Sequence, residues 1–282
     1  MSSKELMHLA HSIESYSILG GSSCNTTASK FFDDVSEKDI AARIFDILSY
    51  GEGEERYRTL DEWNRWMVLG ASVVKQHQDH PRPLIAEIET YRGCHRYASG
   101  GCSYCIEPLK GRPLMRSPKD ILKEAAELKR NGIVNVRVGG QTCIISYGTE
   151  DDSGIPQPNP DAVGELFYGL RDLGFEVLHV DNANPAVISE YPEETENILR
   201  ILTECCTPGN VLALGMESAD INVIEANNLN ATPERTMDAI RMINRIGSPR
   251  GENGMPLLLP GINIIAGLDG ETSGTYEKNL EF

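Results

Sequence analysis

Residues 84–105 read LIAEIETYRGCHRYASGGCSYC and join a strand pattern directly to a cluster of cysteines. Apolar and polar residues alternate through residues 84–90, which predicts a strand. Cys94, Cys102 and Cys105 follow within twelve residues, the last two as a Cys-x-x-Cys pair. Three thiols are one fewer than a closed zinc or iron–sulfur site takes. The loop can therefore hold a metal centre that keeps one coordination position open for another molecule.

Beyond this loop the chain alternates between strand and helix patterns. Strands are predicted at residues 84–90, 133–141, 176–185, 210–218 and 261–271, and helices at residues 117–132, 159–175, 192–206 and 232–247. The first of these helices has Ser117 as its N-cap and Pro118 as its first residue. Such alternation predicts an α/β fold with a parallel sheet covered by helices, either open or rolled into a barrel.

The predicted strands end in small or polar residues. These residues are Gly139, Gly140 and Gln141; His179, Asp181, Asn182 and Asn184; Glu217 and Ser218; and Gly267, Asp269, Gly270 and Glu271. In parallel α/β folds, ligands bind at the carboxyl ends of the strands. Because the cysteine loop leaves the carboxyl end of the first strand, we expect all these groups to converge on one face.

The first 80 residues read as a separate small α/β segment. A strand is predicted at residues 16–23, and a helix follows with Ser36 as its N-cap. A second amphipathic stretch ends at HQDHPRPL, residues 77–84, whose two prolines break the pattern. We therefore expect one domain at residues 1–80 and a second at residues 81–282.

Composition limits the class of protein. The 282 residues are 40% hydrophobic and 24% charged, as in ordinary globular proteins, and carry a formal net charge of −16. No apolar run approaches the roughly 20 residues that span a bilayer, and the first residues lack a signal-peptide pattern. We expect a cytoplasmic protein whose thiols are reduced and that does not interact with a membrane. Without clustered basic residues, nucleic acid is disfavoured as a partner of this part of the chain.

The strand-end motifs, together with the cysteines, carry a family resemblance. The chain resembles the radical S-adenosylmethionine (SAM) superfamily, in which Cys-x-x-x-Cys-x-aromatic-Cys follows the first barrel strand. CSYC supplies the second half of that motif, with Tyr104 in the aromatic position, whereas the first gap is seven residues. VRVGGQ stands at the Gly-Gly-Glu motif with Gln141 in place of glutamate. ALGMES and GINIIAGLDGET are similar to the fourth- and fifth-strand motifs, with Asp269 where proline is common.

More narrowly, HVDNANP, GMESAD and RGENGMPLLLPG are similar to an uncharacterised archaeal family of Fe–S oxidoreductases. Members share the widened cysteine gap and usually continue past the position of Phe282 into a sixth strand and a C-terminal helix-hairpin-helix. The resemblance thus implies a partial (β/α) barrel with five strands present and the sixth missing, truncated at its C-terminus. A missing helix-hairpin-helix would be the place for any nucleic-acid contact.

The resemblance also implies the cofactors and the chemistry. Cys94, Cys102 and Cys105 would ligate three irons of a 4Fe–4S cluster, and the amino and carboxylate groups of SAM would chelate the fourth. One electron from an external donor would cleave SAM into methionine and a 5′-deoxyadenosyl radical, which abstracts hydrogen from an unknown substrate.

Further residues are implied to bind SAM. Its amino group would meet Gly139, Gly140 and Gln141; its adenine would border Tyr104 and Gly267; and its ribose would contact Glu217 or Ser218. Residues 1–80 resemble the tail of a Rossmann-like cobalamin-binding domain, but the Asp-x-His-x-x-Gly motif is absent, so cobalamin is not predicted.

Other interpretations of the same residues stay open. The cysteines can form a zinc site completed by His95, or hold a cluster in a non-catalytic protein that transfers electrons or docks a partner. A metal-free barrel enzyme is a third reading. Glu217 can cap the helix that follows it. His179 and Asp181, two residues apart on one strand, face the same side either as substrate contacts or as a satisfied structural pair.

Overall fold

The computed structural model describes residues 2–24 and 26–282. It divides the chain into two compact units, Met1–Trp63 and Asn64–Phe282. The domain boundary that the prolines predict, near residue 80, remains a prediction. No helix in the described part of the chain has the length and apolar character needed to cross a membrane.

The first unit contains a small two-stranded sheet. Its elements are α1 (Ser3–Ser12), β1 (Ile18–Gly20), β2 (Asp34–Ser36) and α2 (Ile40–Tyr50). Strands β1 and β2 pair in parallel. Leu6 of α1, Leu19 of β1 and Ala28 form a small buried cluster, against which Phe32 packs. The predicted strand and helix of this segment are therefore present.

The predicted N-cap of α2 was wrong. Ser36 is buried in β2, where it pairs with Gly20. The helix begins later, and the Asp39 carboxylate accepts hydrogen bonds from the backbone N–H groups of Ala41 and Ala42, at 3.1 and 3.3 Å. Ser36 belongs to the sheet because its backbone groups take part in strand pairing, which leaves the capping role to Asp39.

Most of the remaining elements build the barrel half of the chain. In chain order they are α3 (Leu60–Gly70), β3 (Ile85–Glu89), β4 (Tyr91–Arg92), β5 (Leu114–Met115), α4 (Pro118–Arg130), β6 (Asn135–Gly139), α5 (Pro160–Asp172), β7 (Val177–Val180), α6 (Pro185–Glu190), α7 (Pro192–Cys205), β8 (Asn210–Glu217), α8 (Ile221–Ala226), α9 (Pro233–Gly247), β9 (Leu258–Ile264) and α10 (Ser273–Glu281).

Helices α4, α5 and α9 begin where the sequence predicts. Ser117 caps α4 by accepting a hydrogen bond from the Asp120 N–H at 3.2 Å, and Pro118 is its first residue. Asn159 and Thr232 cap α5 and α9 in the same way. Each of these helices buries one apolar face against the strands, and the buried residues join a single core.

The five strands β3, β6, β7, β8 and β9 form an open, parallel arrangement. Strands β3, β6 and β7 form one parallel sheet, and β8 pairs with β9 in another. A parallel bridge between Ala183, just after β7, and Leu214 of β8 joins the two. The order β3-β6-β7-β8-β9 follows the chain, and β3 does not pair with β9 among residues 2–24 and 26–282. The predicted partial (β/α) barrel is confirmed.

A short antiparallel pair, absent from the sequence prediction, closes the base of the cysteine loop. Tyr91 of β4 pairs with Met115 of β5, so the chain leaves and re-enters the barrel at neighbouring positions. Tyr91 is fully buried, and its hydroxyl donates to the Cys143 carbonyl while accepting from the Cys143 N–H, both at 2.8 Å. The base of the loop is thereby tied to the segment that follows β6.

Candidate metal centre

A cavity of about 380 Å³ opens at the carboxyl ends of the strands. Seven of the ten site residues predicted from the sequence line it: Cys94, Cys102, Tyr104, Cys105, Gly140, Gln141 and Glu217. They come from the cysteine loop, from the end of β6 and from the end of β8. The expected convergence of the strand ends is therefore present, although what each residue binds remains a prediction.

The cysteine loop is shaped by tight backbone turns. The Cys94 N–H donates to the Gly111 carbonyl at 3.2 Å, and the Cys105 N–H donates to the Cys102 carbonyl at 3.0 Å. Gly101 has a φ of +65°, and a Cβ there would lie 2.1 Å from Cγ of Pro108. No other residue fits this close approach, so the glycine lets the loop fold tightly beside the two downstream cysteines.

The arrangement of the sulfur atoms does not match a site for a single ion. Among the described residues, no group of three or more His, Cys, Asp or Glu side chains is arranged to hold one metal ion. A 4Fe–4S cluster does not need such a group, because each cysteine binds a different iron. His95 is not among the residues that line the cavity and instead packs edge-on against the Tyr91 ring. The zinc site completed by His95 therefore has no support from the geometry.

Burial and a nearby cation act in opposite directions on the thiols of the loop. Burial raises the pKa of both Cys94 and Cys102 above the usual thiol value, and the nearby Arg96 guanidinium opposes that shift. Half-buried thiols facing a polar cavity gain their anionic form when a metal takes the place of the proton. The donor set, the cavity and the loop thus fit a cluster held by three cysteines.

Gly140 and Gln141 form a turn directly after β6. Gly140 has a φ of +77°, and a Cβ there would lie 2.7 Å from Cγ of Glu89, so only glycine fits. Gln141 is buried, and its side-chain N–H donates to the carbonyls of Asp181 and Val138, at 2.9 and 3.3 Å. Its side-chain oxygen accepts from the Thr90 hydroxyl at 3.2 Å. The amide thus ties β3, β6 and β7 together, a task that the glutamate of the superfamily motif could not perform.

We expect Gln141→Glu to lower the free energy of unfolding by about 1 to 3 kcal/mol, because two buried carbonyls would lose their donor and face a carboxylate. Denaturant unfolding checks this against Gln78→Glu, which makes the same change at an exposed loop position. Equal stability of the two variants would contradict the role given to the amide.

Glu217 and Tyr104 meet at the opposite side of the cavity. Glu217 has a φ of +66° and follows an irregularity in the pairing of β8 with β9. Burial raises the pKa of both the Glu217 carboxyl and the Tyr104 hydroxyl, and the neighbouring Tyr104 opposes that shift at Glu217. A left-handed non-glycine residue in a cavity wall is a typical feature of functional sites. The cap of α8 is Asp220, so the alternative role of Glu217 as a helix cap is wrong.

Three predicted SAM contacts do not line the cavity. Gly139 is buried in β6, where it pairs with Glu89. Ser218 is fully buried, and its hydroxyl accepts from the Asp220 N–H at 3.1 Å. Gly267 is exposed, and its N–H donates to the Glu271 carboxylate at 2.9 Å. Their proposed contacts remain predictions without geometric support.

Charged residues cross the inner face of the first sheet. Arg137 of β6 pairs with Asp181 at 2.8 Å and with Glu87 of β3 at 3.5 Å. His179 of β7 lies in register with Arg137, and burial lowers its pKa. Asp181 is therefore held in an ion-pair network, whereas Nε2 of His179 is buried and has no hydrogen-bond partner among the described residues. The choice between substrate contacts and a satisfied structural pair remains a prediction.

Sequence reasoning missed several residues of the cavity wall. Arg96, Thr142, Asn230 and Asn263 line it, although none was singled out as a site residue. Asn263 lies in register with Gly215 of β8, so its period-two position on β9 was the signal that could have found it. For Arg96 and Asn230, which lie in loops, the sequence carries no comparable pattern.

Fold and site together define an α/β-barrel protein with a thiol-lined ligand cavity. The family model of the radical SAM superfamily matches residues 88–281. The chain belongs to the radical SAM superfamily, whose members use a 4Fe–4S cluster and SAM.

Three known proteins show how far the similarity extends. An uncharacterised protein of the archaeon Methanocaldococcus jannaschii is 42% identical over 301 residues, which cover 99% of this chain and 55% of that protein. The tRNA-2-methylthio-N(6)-dimethylallyladenosine synthase of Bacillus cytotoxicus is 25% identical, over 70% of this chain and 34% of the synthase. The chain thus spans about half the length, or less, of these relatives.

The third is a solved structure, that of the cobalamin-dependent SAM radical enzyme OxsB with aqua-cobalamin and SAM bound. It superposes with a TM-score of 0.62 at 15% identity, covering 99% of this chain and 41% of OxsB. At this level of identity the likeness shows the fold alone.

Proposed function

We propose that this chain is the cofactor-binding part of a radical SAM enzyme. Cys94, Cys102 and Cys105 would hold the 4Fe–4S cluster, and SAM would lie in the cavity beside it. The observation that carries the proposal is the meeting of these three cysteines with the Gly140–Gln141 turn and Glu217 around one cavity. A family member whose motif residues lay apart could not bring the cluster and SAM together.

When bound, the cluster and SAM supply a reductive cleavage that yields methionine and a 5′-deoxyadenosyl radical. The chain's own residues bind and orient. The exposed backbone of Gly140 permits close approach of the SAM amino group, and Gln141 holds that turn in place through its three hydrogen bonds.

Tyr104 and Glu217 would border the nucleoside part of SAM. The carboxylate of Glu217 retains lone pairs that can accept hydrogen bonds from ribose hydroxyls. Because burial raises the pKa of Glu217, hydrogen bonds from the ribose would stabilise a carboxylate that is otherwise poorly solvated.

The partners follow from the same chemistry. The cluster requires one electron from an external donor. The 5′-deoxyadenosyl radical would take a hydrogen atom from a substrate that the cavity residues do not specify. A reducing compartment keeps clustered thiols free to bind iron, which supports a cytoplasmic location as part of the proposal.

The test is anaerobic reconstitution of the full-length natural protein with iron and sulfide, followed by addition of SAM and dithionite. We expect methionine and 5′-deoxyadenosine in equal amounts, measured by chromatography, and neither product when dithionite is omitted. A cluster that assembles but leaves SAM intact would instead support the electron carrier. A colourless protein that binds no iron would contradict both and favour the metal-free barrel enzyme.

A further inference from the structure

Arg96 lies within the widened gap between the first two cysteines and contacts the sulfur atoms of both. Its backbone N–H points to Sγ of Cys94 at 3.4 Å, and its Nη1 donates to Sγ of Cys102 at 3.3 Å. It also lines the cavity that the three cysteines share. One residue of the loop therefore supplies both a backbone donor and a positive charge to sulfur.

The guanidinium is held in this position from the far side. Its Nη2 donates to the backbone carbonyl of Asn228 at 2.6 Å and to the side-chain oxygen of Asn228 at 3.0 Å. The Asn228 amide N–H in turn donates to the carbonyls of Ser99 and Gly101, at 3.0 and 2.7 Å. Asn228 thus clamps Arg96 and the rest of the loop into one arrangement.

The contacts with Asn228 leave the charge of Arg96 available to the sulfur atoms. Both oxygens of Asn228 are neutral acceptors, so these two hydrogen bonds orient the guanidinium without cancelling its charge. Asn228 has a φ of +51°, an uncommon conformation for a residue other than glycine. Asparagine is tolerated in this conformation at the end of a helix, and Asn228 directly follows the C-cap of α8. The same residue can therefore end the helix and aim the arginine at a cysteine sulfur.

We propose that Arg96 raises the reduction potential of the cluster by donating a hydrogen bond to the sulfur of Cys102. This inference rests on the proposed function, because it presumes that the cysteines hold a cluster. The reduced cluster carries one more negative charge than the oxidised one. A fixed cation and a hydrogen bond at a ligand sulfur stabilise the reduced state more, and hydrogen bonds to sulfur and net charge are among the factors that set cluster potentials. Arg96 is thus a tuning residue that acts through Cys102.

The test is a redox titration of the reconstituted full-length protein without SAM. The electron paramagnetic resonance signal of the reduced cluster measures how much cluster is reduced at each potential. For Arg96→Gln we expect the ratio of reduced to oxidised cluster at the wild-type midpoint to fall about tenfold, which is about 59 mV for a one-electron couple. Arg96→Lys keeps the positive charge but loses the planar guanidinium, which can donate to Cys102 and Asn228 at the same time. The reduction potential should therefore also fall, but by less than in Arg96→Gln.

Arg112→Gln is the matched control. Arg112 is a neighbouring arginine that is 65% exposed and pairs with Asp152 at 3.1 Å, so the variant makes the same change of charge without removing a donor to sulfur. A potential that shifts equally in Arg96→Gln and Arg112→Gln, or in neither, would overturn the inference.

If Arg96→Gln fails to assemble the cluster, Asn228→Ala takes its place. It keeps the arginine and one backbone acceptor for it, but removes the side-chain oxygen that holds Nη2 and the amide that ties this residue to the loop. Asn228→Ala should also lower the reduction potential, and an unchanged reduction potential would contradict the inference. Failure of the proposed function looks different, because the wild-type protein itself would then hold no cluster or would leave SAM intact.

Discussion

Replacement of Cys102 by alanine is expected to abolish assembly of the cluster and, with it, the cleavage of SAM. Three thiolates bind three of the four irons of a 4Fe–4S cluster, and the fourth iron is the one that SAM would bind. Removing one thiolate therefore leaves two irons without a protein ligand. We expect bound iron to fall from about four atoms per chain to well below one, and SAM cleavage to fall below detection. Iron and sulfide analysis of the reconstituted protein measures the first effect, and chromatography of the products measures the second.

The matched control is Cys205→Ala. Cys205 is a buried thiol at the end of α7, and it is not among the residues that line the cavity. This variant removes one of the seven cysteines of the chain without touching the site. Iron content equal to that of the wild type is expected for Cys205→Ala. The same iron content in Cys102→Ala would mean that the loop does not hold the cluster.

The barrel could be predicted because each of its elements carries a local signal. Ser117 and Pro118 mark the start of α4, and the alternating residues of β3 and β6 mark strands with one buried face. Those signals depend on neighbours in the sequence. The pairing of β4 with β5 has no such local signal, because Tyr91 and Met115 are brought together only by tertiary contacts. The N-cap of α2 could not be predicted from neighbouring residues either, because both Ser36 and Asp39 are good capping residues. Only the pairing of Ser36 in β2 excludes it as the cap.

The same distinction separates the parts of the site. The cysteines and the Gly140–Gln141 turn could be predicted because their chemistry is carried by residue type and spacing. The position of Ser218 away from the cavity wall could not be predicted, because its burial beneath the start of α8 depends on the path of the chain after Glu217. The position of Arg96 beside Cys102 depends on Asn228, which is far away in the sequence. A sequence pattern does not encode such contacts.

Arg116→Met should strongly destabilise the fold, although Arg116 does not line the cavity. The Arg116 side chain is fully buried, and its guanidinium binds the Glu124 carboxylate of α4 at 2.6 Å and the Glu89 carbonyl at the end of β3 at 2.9 Å. Without the arginine, Glu124 would be a buried carboxylate that has lost its ion-pair partner, and burial already raises its pKa. We expect the free energy of unfolding to fall by about 3 to 5 kcal/mol, measured by denaturant titration.

The double variant Arg116→Met with Glu124→Leu tests the reason for that loss. Replacing both partners of a buried ion pair by apolar residues is often neutral, so the double variant should regain most of the stability that the single variant loses. If it stays as unstable as Arg116→Met, the loss comes from the contacts of Arg116 with the backbone and not from the stranded carboxylate. In that case the arginine serves mainly to fix the end of β3, from which the cysteine loop departs, and the single variant should also bind iron poorly.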